Sequence, residues 1–475
     1  MKKILTLLLF ILPFALWSCG GDDDDTDADS TVAPVVVSSV PADGATDVPV
    51  STKTVTLTFD GPIRFSKSLY FNEKEITILN MSANGNTLSI TLPESLKYGE
   101  TYTLKVPQGA VSNVGGTPCA ECAISFTTEP KKEPVISKKL VTENPLPATQ
   151  KLFDFIVDNY GSKIISSSMA NVTWNFAEAE LVYKATGKYP AIATMDYIHV
   201  YTQRSDWDNK YWIVDYDVND DIRSWVNNGG ALAASWHWNV PVKEGVSYSG
   251  DGNVTCSPDK TTFKPSNMLV EGTWEKSIRD EDLAIVADYL LKLQNEGIAL
   301  IWRPFHEASG NANVGGEAWF WWGKEGPEVY KKIWIDMFEY FKAKGIRNLI
   351  WVWTTQTGYT WKDEVNIYPD EDWYPGDEYV DVVGRDEYNC TSADKSAEEF
   401  LAIQELFPNK VVTLSECGNV GKLSEQWKSG ARWSWAMPWY QYDATTLDGH
   451  QHANTAWWKD AMNSDIVITR DEMPK

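Results

Sequence analysis

The sequence has 475 residues, which is enough for two or three domains. Charged residues make up 23% and hydrophobic residues 43%, a balance that excludes an intrinsically disordered chain. Lys and Arg total 42 against 66 Asp and Glu, and the net charge of -24 argues against nucleic acids and polyanionic sugars as partners, because both are themselves negative.

The first segment has the pattern of an export signal. Lys2 and Lys3 precede an apolar run over residues 4–17, which is too short for a membrane-spanning helix, and Cys19 follows closely. This arrangement resembles the lipobox of bacterial lipoproteins, in which cleavage leaves the cysteine as the lipidated first residue. The alternative is an ordinary secretory signal with an incidental cysteine. We expect residues 1–18 to be a lipoprotein signal peptide and Cys19 to be the lipidation site.

Residues 19–32 form an acidic stretch with Asp at each of positions 22–25, which predicts a flexible, self-repelling tether. Such a stretch just after a lipidated cysteine also resembles the surface-export signal of some Gram-negative bacteria. We therefore expect the protein to be lipid-anchored in the outer membrane and exposed at the cell surface.

Residues 33–128 alternate apolar and polar side chains with the period of two that is typical of strands, for example over residues 55–59. Short runs of this kind, separated by turn signals, predict an all-β sandwich. Residues 41–49 and 98–104 resemble the bacterial Ig-like domains of surface proteins. We expect this domain to be a spacer. Sugar binding is the alternative, and the absence of Trp between residues 18 and 143 weakens it.

Residues 129–142 are charged and contain Pro130 and Pro134, which predicts a short, stiff linker. Before this linker, Cys119 and Cys122 have the spacing of a redox motif, but no thioredoxin-like βαβ pattern surrounds them. We interpret them as a local disulfide or as two inert thiols. No second cysteine pair completes a zinc site.

From residue 143 to residue 475, strand-like apolar runs alternate with amphipathic helical stretches. The eight runs lie at residues 163–169, 189–197, 231–238, 298–307, 348–356, 380–388, 410–418 and 432–440. The helical spacing of apolar residues is clearest over residues 280–295 and 327–344. Eight strands with helical crossovers predict an α/β fold, the (β/α)8 TIM barrel. The alternative is a doubly wound sheet, but no glycine-rich phosphate loop follows the first strand.

In such barrels the chemistry lies at the carboxyl ends of the strands. Glu307 ends the fourth run and Glu416 lies near the end of the seventh, so we expect the two glutamates to face each other across the barrel mouth. A retaining glycosidase needs such a pair, one carboxylic acid to protonate the leaving oxygen and one carboxylate to attack the anomeric carbon. The alternative is that both are structural carboxylates, bound to Arg303 or Arg385.

Three motifs carry a resemblance to a known family. Residues 302–307 (Trp-Arg-Pro-Phe-His-Glu), 319–323 (Trp-Phe-Trp-Trp-Gly) and 415–418 (Ser-Glu-Cys-Gly) resemble glycoside hydrolase family 26, which is dominated by endo-β-1,4-mannanases. The resemblance implies that Glu307 is the general acid/base and Glu416 the nucleophile of a retaining mechanism that uses no cofactor and no metal.

The same resemblance implies roles for further residues. Catalysis would be supported by His306, by Arg303 and by Tyr388, the last through a hydrogen bond to the nucleophile. Substrate binding would involve His237, Asn239, Trp319 and Trp439, with the two tryptophans as stacking platforms for pyranose rings. The chain has 23 Trp, of which 22 follow residue 143, and we interpret most of the others as core residues.

Two loops bear on the mode of action. Residues 308–318 separate the acid from the Trp-rich motif by more than the few residues usual in the family, and residues 246–273 are rich in Gly, Ser and Asp. Either loop would convert an open, endo-acting groove into a closed, exo-acting pocket if it crossed the cleft. His450 and His452 form a close pair that we interpret as structural rather than metal-binding.

We expect a monomeric endo-β-1,4-mannanase that hydrolyses mannan, glucomannan or galactomannan. Alternatives within the family are an exo-acting mannobiohydrolase, a β-1,3-xylanase and a lichenase. An alternative of another class is a non-catalytic glycan-binding lipoprotein of the cell surface. The presence of both glutamates, Glu307 and Glu416, counts against this last alternative.

Overall fold

The structure is a computed structural model that describes residues 31–130, 135–207, 209, 212–246, 252–310, 317–355 and 371–474. The predicted signal peptide, the lipidation site Cys19 and all but the last two residues of the tether lie outside the described residues. The chain divides into two compact units between residues 133 and 134, a position inside the predicted linker. Within the described ranges, no helix has both the length and the apolar character needed to cross a membrane.

The first unit is built from short strands. Its described residues form β1 (Val36–Val40), β2 (Ala45–Val48), β3 (Thr54–Phe59), β4 (Ile63–Phe65), β5 (Leu69–Phe71), β6 (Lys74–Ile76), β7 (Met81–Asn84), β8 (Thr87–Thr91), β9 (Thr101–Val106), β10 (Val111–Asn113) and β11 (Cys122–Thr128). One sheet has the order β1-β3-β8-β7, a second has the order β2-β11-β9-β5-β6, and β10 pairs with β4.

The two larger sheets bury one shared core. Along β3, Leu57 and Phe59 are buried while the threonine between them is less so, which is the period of two predicted from the sequence. Both residues belong to the same apolar cluster as Leu104 of the other sheet. The predicted all-β sandwich is therefore confirmed. Cys119 and Cys122 are unpaired thiols, so the disulfide alternative is wrong.

The second unit alternates strands and helices. Its strands are β12 (Ile164–Met169), β13 (Ile192–Asp196), β14 (Ala231–Trp236), β15 (Val240–Pro241), β16 (Val254–Thr255), β17 (Leu300–Pro304), β18 (Leu349–Thr355), β19 (Val382–Tyr388), β20 (Val411–Gly418), β21 (Trp435–Pro438) and β22 (Val467–Ile468). Its α-helices are α1 (Pro147–Asn159), α2 (Ala177–Thr186), α3 (Asp220–Asn227), α4 (Trp274–Asn295), α5 (Pro327–Ala343), α6 (Ala393–Leu406), α7 (Leu423–Ser429) and α8 (Thr455–Met462).

Eight of these strands close into a barrel. They are parallel neighbours in the order β13-β14-β17-β18-β19-β20-β21-β12, and pairing of β12 with β13 closes the ring. The short β22 adds to β12, and β15 pairs with β16 as a hairpin. The predicted (β/α)8 barrel is therefore confirmed. Each of the eight apolar runs contains one barrel strand, and every strand is shorter than its run.

Alternate residues of the barrel strands face two different cores. Ile301 of β17 and Ile350 of β18 belong to the cluster inside the barrel. Leu300 and Leu349, one residue earlier, belong to the cluster that packs the strands against the helices. Because successive side chains of a strand point to opposite faces, Arg303 points inward, like Ile301. This alternation brings the polar residues at the strand ends into the barrel mouth.

Different local signals mark the first residues of helices α4 and α5. The Thr273 hydroxyl accepts a hydrogen bond from the backbone N–H of Lys276 at the first turn of α4. Helix α4 therefore starts at Trp274, ahead of the predicted stretch 280–295, whose start was set by apolar spacing alone. Helix α5 begins at Pro327, as predicted, because proline suits the first position of a helix.

Candidate active site

The turn after β17 carries Glu307. Phe305 and Glu307 have backbone φ angles of 48° and 51°, in the left-handed region that residues other than glycine rarely adopt. Later side chains hold this turn: the indole N–H of Trp322 donates to the carbonyl of His306 at 2.8 Å, and the Tyr330 hydroxyl donates to that of Phe305 at 3.2 Å. The surrounding packing thus fixes a costly conformation at the position of the predicted acid.

Glu416 lies on β20 and is bound by two groups from other strands. Arg303 of β17 forms one ion pair with Glu416 and a second with Asp386 of β19, the latter at 2.6 Å. The Tyr388 hydroxyl donates to Oε1 of Glu416 at 2.5 Å. The Ser415 hydroxyl donates to the other oxygen of Asp386 at 2.7 Å. Glu416 therefore has a fixed orientation at the barrel mouth.

Burial and neighbouring charges distinguish the two glutamates. Burial raises the pKa of Glu307 well above its ordinary value, and the carboxylates of Asp386 and Glu416 add to the effect. Burial also raises the pKa of Glu416, but the ion pair with Arg303 and the hydrogen bond from Tyr388 oppose that rise. Glu416 is therefore the better site for a negative charge and Glu307 for a proton, which is the division that a nucleophile and an acid need.

A chain of polar groups runs from β13 to the turn after β17. His237, just after β14, binds Asp196 through Nδ1, and its Nε2 lies 3.2 Å from Nε2 of His306. The ring of His237 also faces Phe320 and Trp439, at centroid distances of 5.3 and 5.9 Å. The structure thus brings the predicted residues His237, His306 and Trp439 together in one site.

The other two predicted substrate-binding residues are Asn239 and Trp319. The side-chain amide of Asn239 donates to the carbonyl of Ile198 at 3.0 Å, so it holds the segment after β13. Trp319 is 42% exposed. The next residue, Phe320, packs against the rings of both His237 and His306. The sugar-binding roles of Asn239 and Trp319 stay predictions.

Asp196 and Asp386 have no role in the sequence-based prediction, yet both belong to the site. Asp196 is fully buried at the end of β13, and Asp386 is buried on β19. The sequence did contain a signal that Asp196 and Asp386 have partners. A charged side chain at the end of an apolar strand costs desolvation free energy unless it is paired. The partner lies on another part of the chain in each case, His237 for Asp196 and Arg303 for Asp386. Only the fold shows these pairs.

His452 packs beside the end of β20. A Cβ added at Gly418 would lie 2.6 Å from Cε1 of Tyr388 and would also collide with Nδ1 of His452. The rings of Tyr388 and His452 are 5.7 Å apart and nearly perpendicular. His450 lies 3.3 Å from the carboxylate of Glu178 on α2. In the described part of the chain, no group of three or more His, Cys, Asp or Glu side chains is placed to hold a metal ion.

The two loops that bear on the mode of action are described in part. Residues 311–316 of one and 247–251 of the other lie outside the described residues. The second loop contains β16, which pairs with β15 just ahead of the loop, and the carbonyl of Cys256 accepts a hydrogen bond from the backbone N–H of Trp321 at 2.9 Å. This loop therefore contacts the Trp-rich motif. The effect of either loop on the cleft stays a prediction.

The chain matches known families along most of its length. The profile of glycosyl hydrolase family 26 matches residues 141–472, and that of a bacterial Ig-like domain matches residues 30–128. Mannan endo-1,4-beta-mannosidase A of Piromyces sp is 26% identical over 423 residues, which are 87% of this chain and 60% of that protein. Mannan endo-1,4-beta-mannosidase B of the same organism is 25% identical, with 64% of its length covered. The chain thus spans less than two thirds of either relative.

Solved structures agree with the family match. The GH26 domain of an endo-beta-mannanase/endo-beta-glucanase from Prevotella bryantii is 40% identical with a TM-score of 0.65, over 71% of this chain and 100% of that one. A beta-mannanase from a symbiotic protist of the termite Reticulitermes speratus, complexed with gluco-manno-oligosaccharide, is 32% identical with a TM-score of 0.57, over 72% of this chain and 99% of that one. The chain therefore belongs to glycosyl hydrolase family 26, as a glycoside hydrolase whose barrel follows a bacterial Ig-like domain.

Proposed function

We propose that this glycoside hydrolase is an endo-β-1,4-mannanase that cleaves mannan, glucomannan or galactomannan with retention at the anomeric carbon. The observation that carries the proposal is the asymmetry of the two glutamates: Glu416 is bound by Arg303 and Tyr388, while Glu307 is partly buried and lies near two carboxylates that raise its pKa. The relatives named above are described as mannanases, one of them also as a glucanase, which supports β-mannan as the substrate.

In the first chemical step, the Glu416 carboxylate attacks the anomeric carbon at the cleavage point. The proton on Glu307 moves to the glycosidic oxygen as its bond to that carbon breaks. The leaving part of the polysaccharide departs as an alcohol, and the other part becomes a glycosyl ester of Glu416. Arg303 and Tyr388 hold the attacking carboxylate in place, and burial strengthens these interactions because little water competes with them.

In the second step, Glu307 takes a proton from a water molecule, whose oxygen attacks the same carbon and displaces Glu416. The two inversions together give retention. Esterification removes the negative charge of Glu416, which had helped to raise the pKa of Glu307. Glu307 is therefore protonated at the start of the first step. Once it has given up that proton, its lowered pKa keeps it ionised, so that it can act as the base in the second step.

The chemistry of the site also fits a neutral polysaccharide. The half-buried indole of Trp439 lies beside His237, and an indole face covers the apolar C–H face of a pyranose ring. The net charge of -24 repels polyanionic sugars but places no penalty on mannans, which carry no charge. The aromatic residue and the acidic chain therefore favour the same class of substrate.

We also propose that the chain is anchored to the outer membrane through Cys19 and exposed at the cell surface. The support is the sequence pattern of a short apolar run, a cysteine and an acidic tether. In a Gram-negative host, Cys19→Ser should move the full-length protein out of the membrane fraction. Retention of that variant in the membrane fraction would refute the anchor.

The test of the proposed activity is the distribution of products over time. The chain without its predicted signal peptide is incubated separately with β-1,4-mannan, galactomannan, β-1,3-xylan and mixed-linkage β-glucan. An early ladder of manno-oligosaccharides is expected. Mannobiose alone from the start would replace endo with exo action, and products only from another glycan would refute the mannan assignment. Glu416→Ala should bind mannan without cleaving it, whereas a wild-type chain that only binds would indicate a glycan-capture protein.

A further inference from the structure

Asp196 is surrounded by hydrogen-bond donors. The residue is 0% exposed. Its Oδ1 accepts the backbone N–H of His237 at 2.9 Å, its Oδ2 binds Nδ1 of the same histidine, and the Ser235 hydroxyl lies 3.2 Å from Oδ2. Burial alone would raise the pKa of Asp196, but the charge and the hydrogen bonds of His237 bring it below its ordinary value. Asp196 is therefore an ionised carboxylate in the interior.

One proton lies between the two histidine rings. Nε2 of His237 and Nε2 of His306 are 3.2 Å apart, so one nitrogen donates and the other accepts. Burial lowers the pKa of His306 well below its ordinary value, and the charges of Arg303 and His237 lower it further. Burial also disfavours a charge on His237, but Asp196 outweighs burial and raises the pKa of this ring. These pKa directions favour a proton on Nε2 of His237, with a neutral His306 as its acceptor.

Asp196 supplies the charge that this arrangement requires. With protons on both nitrogens His237 is a cation whose side chain is only 16% exposed, and a largely desolvated cation without a counter-ion is costly. The charged and titratable groups that face His237 are Asp196, Arg303, His306 and Glu416. Further titratable groups face Asp196, namely His199, Tyr216, Cys256 and Tyr440. Of these groups, Asp196 is the carboxylate that is bonded directly to the ring of His237.

We propose that Asp196 is a positioning residue that keeps His237 doubly protonated, so that the resulting imidazolium, together with Arg303, holds the negative charge on Glu416. Trp439 relates His237 to Glu416: its ring lies 5.9 Å from that of His237, and its backbone N–H donates at 2.8 Å to the carbonyl of Cys417, the residue after Glu416. A positive charge on His237 accordingly lowers the pKa of Glu416. The inference rests on the proposed function, because His237 has this task only if Glu416 is the attacking carboxylate. Asp196 acts through His237 and not on the sugar.

The first test is Asp196→Asn, which keeps the size of the side chain and removes its charge. His237 then loses its second proton at the working pH, and Glu416 loses the support of a cation. The acidic limb of kcat/KM against pH, measured on a manno-oligosaccharide, should move upward by about one pH unit, the lower end of what a close opposite charge contributes. A lower rate with an unmoved acidic limb would overturn the proposal, because loosened packing alone lowers the rate at every pH.

Two controls separate charge from packing. Ser235→Ala removes one hydrogen bond to Asp196 but leaves its charge, so the acidic limb should stay in place. In a His237→Gln background, adding Asp196→Asn should move the acidic limb no further, because the group that transmits the effect is gone. An equal shift in Ser235→Ala, or a further shift in the double variant, would contradict an action through His237.

A second measurement uses the wild-type protein and needs no activity. The chain has five histidines, and nitrogen-15 spectra of the imidazole rings report how many protons each ring carries. At pH 7 His237, assigned by the signal that disappears in His237→Gln, should carry a proton on each nitrogen, and His306 should carry one proton. A neutral His237 would overturn the inference. Full activity of Glu416→Ala would instead refute the proposed function, whatever the spectra show.

Discussion

The hydroxyl of Tyr388 lies 2.5 Å from Oε1 of Glu416, between two adjacent strands of the barrel. β19 and β20 run parallel, and Tyr388 stands opposite Gly418, two residues beyond Glu416. Partial desolvation raises the pKa of Tyr388, a residue that is still 36% exposed, and the nearby charge of Glu416 raises it further. The phenol therefore keeps its proton and is always the donor, so this hydrogen bond favours the ionised form of Glu416.

Tyr388→Phe should slow the enzyme and change its response to pH. A hydrogen bond to a charged group contributes about 1.5–3 kcal/mol, which corresponds to a loss of roughly 10–150-fold in kcat/KM. The acidic limb should move to higher pH, because Glu416 loses a group that favours its ionised form. Steady-state kinetics on a manno-oligosaccharide across pH, with thermal unfolding as a control for folding, check this prediction. An unchanged rate would show that the bond has no catalytic role.

Glu307→Gln should remove the acid and leave the nucleophile. Loss of the general acid should lower the rate of mannan hydrolysis on the order of 10²–10⁴-fold. Hydrolysis of an aryl mannoside with a good leaving group should slow much less, because that leaving group needs little protonation. Activity requires protonated Glu307, whose pKa is raised, so it is present below that pKa and is lost as the pH rises through it. The variant should therefore lack the basic limb of the wild-type profile.

Azide provides the control for this substitution. Azide needs no general base, so it should rescue Glu307→Gln on the aryl mannoside, whose leaving group needs no acid, and yield a mannosyl azide of retained configuration. Glu398→Gln, on the exposed side of α6, is the matched variant and should leave both limbs unchanged. If Glu307→Gln keeps its basic limb, another group is the acid.

Gly418→Ala should distort the site through packing. A Cβ at this position would lie 2.6 Å from Cε1 of Tyr388 and would collide with His452, so at least one ring has to move. Overpacking of this kind costs about 1–3 kcal/mol of unfolding free energy. Activity should fall as well, because the Tyr388 hydroxyl leaves its position on Glu416. Gly61→Ala, at a site with open space, is the control, measured by urea unfolding and by kcat. Wild-type stability and rate in Gly418→Ala would contradict this packing.

The barrel and part of its site follow from the sequence for a physical reason. Strands buried on both faces appear as continuous apolar runs, so all eight can be recognised, and the polar residues at their ends are conspicuous. Arg303, Tyr388 and Glu416 were identified in this way together with the motifs. The link from Asp196 to His237 was not, because it depends on β13 pairing with β14 so that Asp196 stands opposite Ser235.

The turn that carries Glu307 shows a second limit of local sequence patterns. Phe305 and Glu307 have positive φ angles, yet no glycine marks the turn. The side chains that stabilise it, Trp322 and Tyr330, come later in the chain and reach it only in the folded barrel. The hydrogen bond from the amide of Asn239 to the backbone of Ile198 likewise becomes visible only in the fold, while the sugar-binding role that the resemblance implies for Asn239 stays a prediction.

Covalent trapping tests the central claim most directly. A 2-deoxy-2-fluoro-β-mannobiosyl fluoride slows both chemical steps through the fluorine at C2, but its good leaving group still allows the first, so the ester intermediate should accumulate. Digestion and mass spectrometry should find the sugar on Glu416, and the label should be lost with renewed activity when an acceptor sugar is added. A label on another residue, or hydrolysis of mannan with inversion and no adduct, would contradict the assignment of Glu416 as the nucleophile.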